Sequence, residues 1–252
     1  MIAETISLGI LSLPVALAKV GIIPGMMLIL GLGIVATYTG YVLGQFKMRH
    51  SHVHSMADAG EILCGSLGRE FFGAAQILLL IFIMASHVLT FSIMMNTLTG
   101  HATCSITFGF IGMIVCYICT LPRKLGDVSW MAIASFISIV AAVTITMIGV
   151  GVKRPAHGVI QTTVQSDFAK GFLSATNIIF AYVGHVTFFS FISELKDPKT
   201  YSKALYLLQF ADTSMYLLVA TIIYAYGGED VRSPALGSTT LLLQKIAYSV
   251  AS

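Results

Sequence analysis

The sequence predicts an all-α integral membrane protein with about seven transmembrane helices, and three observations carry that expectation. Of its 252 residues, 56% are hydrophobic and only 10% are charged, whereas a soluble chain carries about 25% Asp, Glu, Lys and Arg. So few charges cannot cover a water-facing surface. Mean hydropathy is +0.88. The apolar residues also come in runs of about 20, the length at which a helix crosses hydrocarbon. The same composition excludes a soluble enzyme and a disordered segment. A net charge of +3, dispersed along the chain, excludes a phosphate-tracking surface, so no nucleic-acid partner is expected.

The span-length rule parses the chain into residues 1–18, 25–46, 71–97, 103–121, 128–152, 168–193 and 204–226. Polar or helix-breaking stretches separate them, among them Gly21-Ile22-Ile23-Pro24. Residues 55–68 form a weakly amphipathic stretch suited to a short interfacial helix. The 23 glycines fit membrane helices, where small residues let backbones approach. Ala16-Leu17-Ala18 resembles a signal-peptidase site, but no positive charge precedes the apolar run and Glu4 lies inside it, so span one reads as retained. The connections after spans two, four and six hold Lys47, Arg49, Arg69, Arg123, Lys124, Lys196, Lys199 and Lys203 of the 14 basic residues. That excess predicts a cytoplasmic N-terminus. Met1 opens directly into an apolar run, and residues 241–252 read as the start of an eighth span. The expectation is therefore a single transmembrane domain over residues 1–252 of a longer protein.

The informative feature is a break in span one, Ser7-Leu8-Gly9-Ile10-Leu11-Ser12-Leu13-Pro14. Proline removes a backbone donor and clashes with the carbonyl four residues earlier, that of Ile10. In hydrocarbon an unpaired backbone group costs several kcal/mol, so irregular backbone survives where it faces protein or a wet cavity. Span six carries a second interruption, Asn177-Ile178-Ile179-Phe180-Ala181-Tyr182-Val183-Gly184-His185, with a glycine between Tyr182 and His185. Alone, the first reads equally as a plain proline kink and the second as a packing glycine. Together, paired interruptions at corresponding places point to an inverted-repeat transporter, whose half-helix ends hold the charged groups of a substrate.

These residues also carry a resemblance. Glu4-Thr5-Ile6-Ser7-Leu8-Gly9-Ile10-Leu11-Ser12-Leu13-Pro14 is similar to the first-span signature of the amino acid/auxin permease family. Ile179-Phe180-Ala181-Tyr182-Val183-Gly184-His185 resembles its sixth-span motif, and Glu194-Leu195-Lys196-Asp197-Pro198 the loop that follows. The likeness extends over essentially the whole chain and is nearest the family's fungal neutral amino acid permeases. It implies the first part of a five-plus-five inverted-repeat (LeuT-like) fold, and proton-coupled import of neutral amino acids by alternating access, across the plasma membrane rather than the vacuolar one. It implies an amino acid and a coupling proton as partners, with no cofactor. Gly9, Ile10, Leu11 and Ser12 would present backbone groups to the substrate carboxylate. Phe180, Ala181, Tyr182 and Gly184 would flank the ammonium and side chain.

Ionisable residues within spans mark candidate proton-coupling groups, because a charge at the bilayer centre costs about 2.5–3.5 kcal/mol on the lenient scale. Glu4, one turn before the first break, comes first; His185, beside the second, and Asp212, near the entry of span seven, follow. His87 in span three is weaker. Each has a bland reading: a helix end for Glu4, a satisfied packing ring for His185. His50-Ser51-His52-Val53-His54 has alternating ligand-type residues but reads as a solvated connection without an acidic or cysteine partner, so no metal is expected. Cys116-x-x-Cys119 lies in hydrocarbon without a third ligand and reads as packing. No phosphate loop, HExxH or nucleophile elbow is present, so no enzyme activity is expected. The competing classes are a seven-span receptor-like protein and a fragment that binds amino acid without moving it.

Overall fold

The computed structural model describes residues 5–6, 9–121, 125–153, 160–165 and 167–251, and all regular structure in them is helical. A 3-10 turn, Gly9–Leu11, leads into α1 (Leu13–Val20), followed by α2 (Ile22–Arg49), α3 (Met56–Thr99), α4 (Ser105–Cys119) and α5 (Leu125–Lys153). Then come α6 (Phe168–Ala181), α7 (His185–Glu194), α8 (Tyr201–Gly227) and α9 (Leu241–Ala251). Among the described residues, five stretches are long and apolar enough to cross a membrane: α2, α3, residues 130–152 of α5, α6 with α7 taken through their break, and α8 with its flanking turns. The described part of span one, α4 and α9 are apolar but shorter.

Two expectations about boundaries are corrected. The connection Gly21–Pro24 shrinks to Gly21 alone, because α2 begins at Ile22 and takes Pro24 into its first turn, where a missing N–H leaves no helical bond unmade. The short helix expected before span three is present, but it ends earlier and joins that span directly through a fold-back at Gly65, whose φ of 68° and ψ of −153° are open to glycine but strained for other residues. Across that fold the backbones of Gly60 and Gly68 touch: a Cβ on Gly60 would sit 2.5 Å from the Gly68 carbonyl oxygen. The Met56 N–H donates to Gln76 Oε1 at 3.1 Å, and Arg69 pairs with Glu61 at 3.1 Å. A Ser55/Asp58 capping box opens the helix, answering two of the N–H groups that a helix start leaves unpaired.

The core lies between α1, α2, α5, α6, α8 and α9. The buried face of α2 is Gly25, Ile29, Gly33, Ala36, Gly40, Gly44 and Lys47, mostly small residues at helical spacing. That is how membrane helices gain close packing when apolar burial gives no advantage over lipid. Against it α8 buries Leu205, Leu208, Gln209, Asp212, Tyr216, Val219, Ala220 and Ile223. The histidine-rich connection is exposed at Ser51, His52 and His54, as expected of a solvated connection, but it is anchored at two points. Val53 is wholly buried, and Lys47 reaches forward to donate to the carbonyls of Ser51 (2.8 Å) and Val53. His54 Nδ1 lies 3.2 Å from Ser193 Oγ at the end of α7. An ammonium buried at the end of a span is held by carbonyls because it otherwise lacks the hydration it gives up.

Candidate functional site

Spans one and six are both interrupted, and the interruptions meet. In span one the Gly9–Leu11 turn ends at Ser12, whose N–H and hydroxyl both donate to the Gly9 carbonyl, at 3.1 and 2.9 Å. The helix restarts at Leu13 with Pro14 in its first turn, a position proline occupies without loss. In span six α6 stops at Ala181. The N–H groups of Tyr182, Val183 and Gly184 close short turns onto Ile179 (3.0 Å), Phe180 (3.2 Å) and Tyr182 (2.9 Å), and α7 restarts at His185. A Cβ on Gly9 would lie 2.6 Å from Ala181 Cα, and one on Gly184 would lie 2.8 Å from Thr5 Cγ2. Larger residues at either glycine would push the two breaks apart.

Span seven ties the breaks together. The Tyr216 hydroxyl, on a fully buried side chain, lies 2.7 Å from the Thr5 carbonyl and 2.8 Å from the Ala181 carbonyl. One donor thus serves an acceptor in each broken span. The Tyr182 ring meets Tyr216 edge-on at 5.2 Å, and its hydroxyl donates to the Ile29 carbonyl of α2 at 3.1 Å and lies 3.3 Å from Thr213 Oγ1. Asp212 sits one helical turn before Tyr216, 1% exposed. Its carboxylate takes a hydrogen bond from the Thr5 side chain, while Oδ1 has no partner among the described residues.

Of the residues singled out from the sequence, Gly9, Ile10, Leu11, Ala181, Tyr182 and Gly184 are buried where the breaks meet, and Ser12 and Phe180 are half-buried beside them. The carbonyls of Gly9, Phe180 and Ala181 each accept a hydrogen bond from the chain itself. His185 turns to α2: Nε2 lies 3.0 Å from the Ala36 carbonyl and 2.9 Å from Thr39 Oγ1. Thr39 already donates to the Val35 carbonyl at 2.9 Å, so Nε2 is the donor to both, and His185 packs α7 onto α2. Glu4 lies outside the described residues. Among those described, no group of three His, Cys, Asp or Glu could hold a metal ion.

Sequence reasoning missed Thr5, Thr213 and Tyr216. A signal for them existed in the polar residues of span seven. Gln209, Asp212, Thr213 and Tyr216 recur at spacings of three and four within an apolar run. On a membrane helix such a face turns toward protein.

Residues 1–250 match the family described as transmembrane amino acid transporter protein. The chain is 37% identical over 262 residues to the N amino acid transport system protein of Neurospora crassa, covering 100% of this chain and 56% of the relative. It is 32% identical to a transmembrane transporter of Gibberella moniliformis, over 97% of this chain and 53% of that protein. A transmembrane transporter of Fusarium pseudograminearum is 33% identical, with the same two shares, 97% and 53%. The chain thus spans about half the length of the curated relatives it matches. No solved structure matches it. Matched from residue 1 to residue 250, this multi-pass membrane protein belongs to the transmembrane amino acid transporter family.

Proposed function

We propose that this chain carries the substrate-binding half of a secondary transporter that takes up neutral amino acids with protons by alternating access, its N-terminus in the cytoplasm of a plasma-membrane protein. The observation that carries this reading is the contact of two broken spans, Gly9 against Ala181 and Gly184 against Thr5. Broken helices that meet inside a membrane give backbone dipoles a place to hold the carboxylate and ammonium of an amino acid without buried side-chain charge. The carbonyls of Gly9, Phe180 and Ala181 now bond within the chain, so substrate entry requires the breaks to separate and exchange those bonds. The side chains packed around the breaks, Ile10, Leu11, Tyr182 and Tyr216, are apolar or aromatic, which suits neutral substrates. The relatives' names favour a carrier over a seven-span receptor.

For the coupling proton we take Asp212. It touches Thr5 at the first break, its Oδ1 is open to a proton, and His185 is engaged on α2. Separation of Thr5 from α8 would change the carboxylate's bonding, which links proton occupancy to the position of span one. The test is uptake of labelled neutral amino acids by cells expressing the full-length protein, with external pH varied. Uptake rising as external pH falls is expected. Absence of uptake above vector at every pH, with protein at the cell surface, would sink the transport reading. Asp212→Asn is expected to abolish the pH dependence, and unchanged dependence would reject that residue.

A further inference from the structure

A cavity away from the broken spans opens where α2 ends and α8 begins. Its volume is about 240 Å³, and its walls include Gln45, Ile192, Lys199, Tyr201 and Ser202. That is below the roughly 300–1,000 Å³ of pockets that enclose a whole small molecule, so it has room for a head group and not for a long ligand. Three of its side chains can donate hydrogen bonds, Gln45, Lys199 and Ser202, and none of them has a side-chain partner among the described residues. The other polar groups nearby are already engaged. The Tyr201 hydroxyl donates to the Gly40 carbonyl at 3.2 Å, and the Asp197 carboxylate accepts the Lys199 backbone N–H at 3.1 Å. Arg49, Lys196 and Lys203 lie in the same segments, against Glu194 and Asp197, so the local balance is positive.

One turn further along each helix the chemistry changes. Tyr41 of α2 and Tyr206 of α8 stack with ring centres 6.5 Å apart, four residues from Gln45 and Ser202 on the side away from the helix ends. Beyond them Tyr38 and Phe210 are 67% and 75% exposed. The groove therefore runs from a cationic donor cluster, past a tyrosine pair, to an exposed aromatic and apolar face. That order matches a bilayer from head groups to acyl chains, with tyrosines at the boundary.

We propose that this cavity is a binding site for the head group of an anionic phospholipid. Lys199, Gln45 and Ser202 hold the phosphodiester, the surplus positive charge of Arg49, Lys196 and Lys203 favours a head group of net negative charge, and the acyl chains lie along Tyr41, Tyr206 and Phe210. Basic pockets between membrane helices are the known setting for such recognition. The apolar continuation is what selects a lipid over free phosphate. The site requires only that the chain spans a membrane and is independent of whether it moves amino acids.

The test is native mass spectrometry of the purified full chain released from vesicles of phosphatidylcholine with or without one-fifth phosphatidylserine. Lys199→Glu and Lys199→Arg are measured beside Lys170→Glu, an exposed lysine at the opposite end of span six. Retention of phosphatidylserine over phosphatidylcholine is expected, weakened about 5-fold or more by Lys199→Glu, as loss of one interfacial lysine implies. Lys199→Arg and Lys170→Glu should retain it. Equal loss in Lys170→Glu would mean a general surface charge effect and overturn the proposal. So would unchanged retention in Lys199→Glu, or displacement of the lipid by inorganic phosphate at matched concentration.

Discussion

The long helix α3 and the broken pair α6–α7 stand at opposite ends of one scale. The most apolar stretch of the long helices is in α3, yet only 11% of that window is buried. The α6–α7 segment is among the least apolar, yet 39% of its window is buried. In a soluble protein the order would be reversed. In hydrocarbon an open apolar surface carries no penalty, so within this chain the most apolar helix can also be the least packed. The helices carrying Asn177, Tyr182, His185, Asp212 and Tyr216 gather inward, where their polar atoms find partners. Among the described long stretches, the two least apolar, α6–α7 and α8, are the most packed.

The sharpest way to break that comparison is to truncate one isoleucine on each side. Ile178 in α6 is fully buried, whereas Ile81 in α3 is 57% exposed. Ile178→Ala should cost about 2–5 kcal/mol through the cavity it leaves. Ile81→Ala should stay within about 0.5 kcal/mol, since its side chain is mostly open within this chain. Reversible unfolding in mixed micelles measures both, and equal losses would mean α3 packs as tightly as α6. Next, Gly9→Ala introduces a methyl group 2.6 Å from the Ala181 backbone and should cost about 1–3 kcal/mol by overpacking. The same assay should show no comparable loss for Gly31→Ala, where nothing lies within 4 Å. The smallest effect belongs to Tyr216→Phe. It removes the donor shared by the Thr5 and Ala181 carbonyls and should cost about 1–2 kcal/mol. Hydrogen exchange at residues 181–184 should then rise, and unchanged protection there would show that the hydroxyl does not hold the breaks together.

Much of the fold is legible in the sequence because the bilayer imposes a length. Runs of about 20 apolar residues locate α2, α5 and α8 to within a few positions, and Pro14 and Gly184 locate the two interruptions. Boundaries governed by local backbone choices are less legible. Pro24 reads as a breaker but sits harmlessly in a first turn, and the fold-back at Gly65 has no marker beyond glycine itself. The histidine-rich connection reads as solvated because its composition is polar. It is exposed at Ser51, His52 and His54, and what composition does not encode is its anchoring: Val53 packs with Ala59 and Phe189, and Lys47 reaches forward to the carbonyls of Ser51 and Val53.

The sequence by itself determined that this is a multi-pass helical membrane protein with broken spans one and six, because hydrocarbon forbids unpaired backbone and so makes length, proline and glycine decisive. Only the tertiary structure decided that the two breaks touch, that Tyr216 joins them, that Asp212 reaches Thr5 and that His185 is turned to α2. Those are meetings between residues far apart in the chain. Their partners are chosen by close packing of small residues on neighbouring helices, and no local pattern in one helix specifies which face of another it will meet.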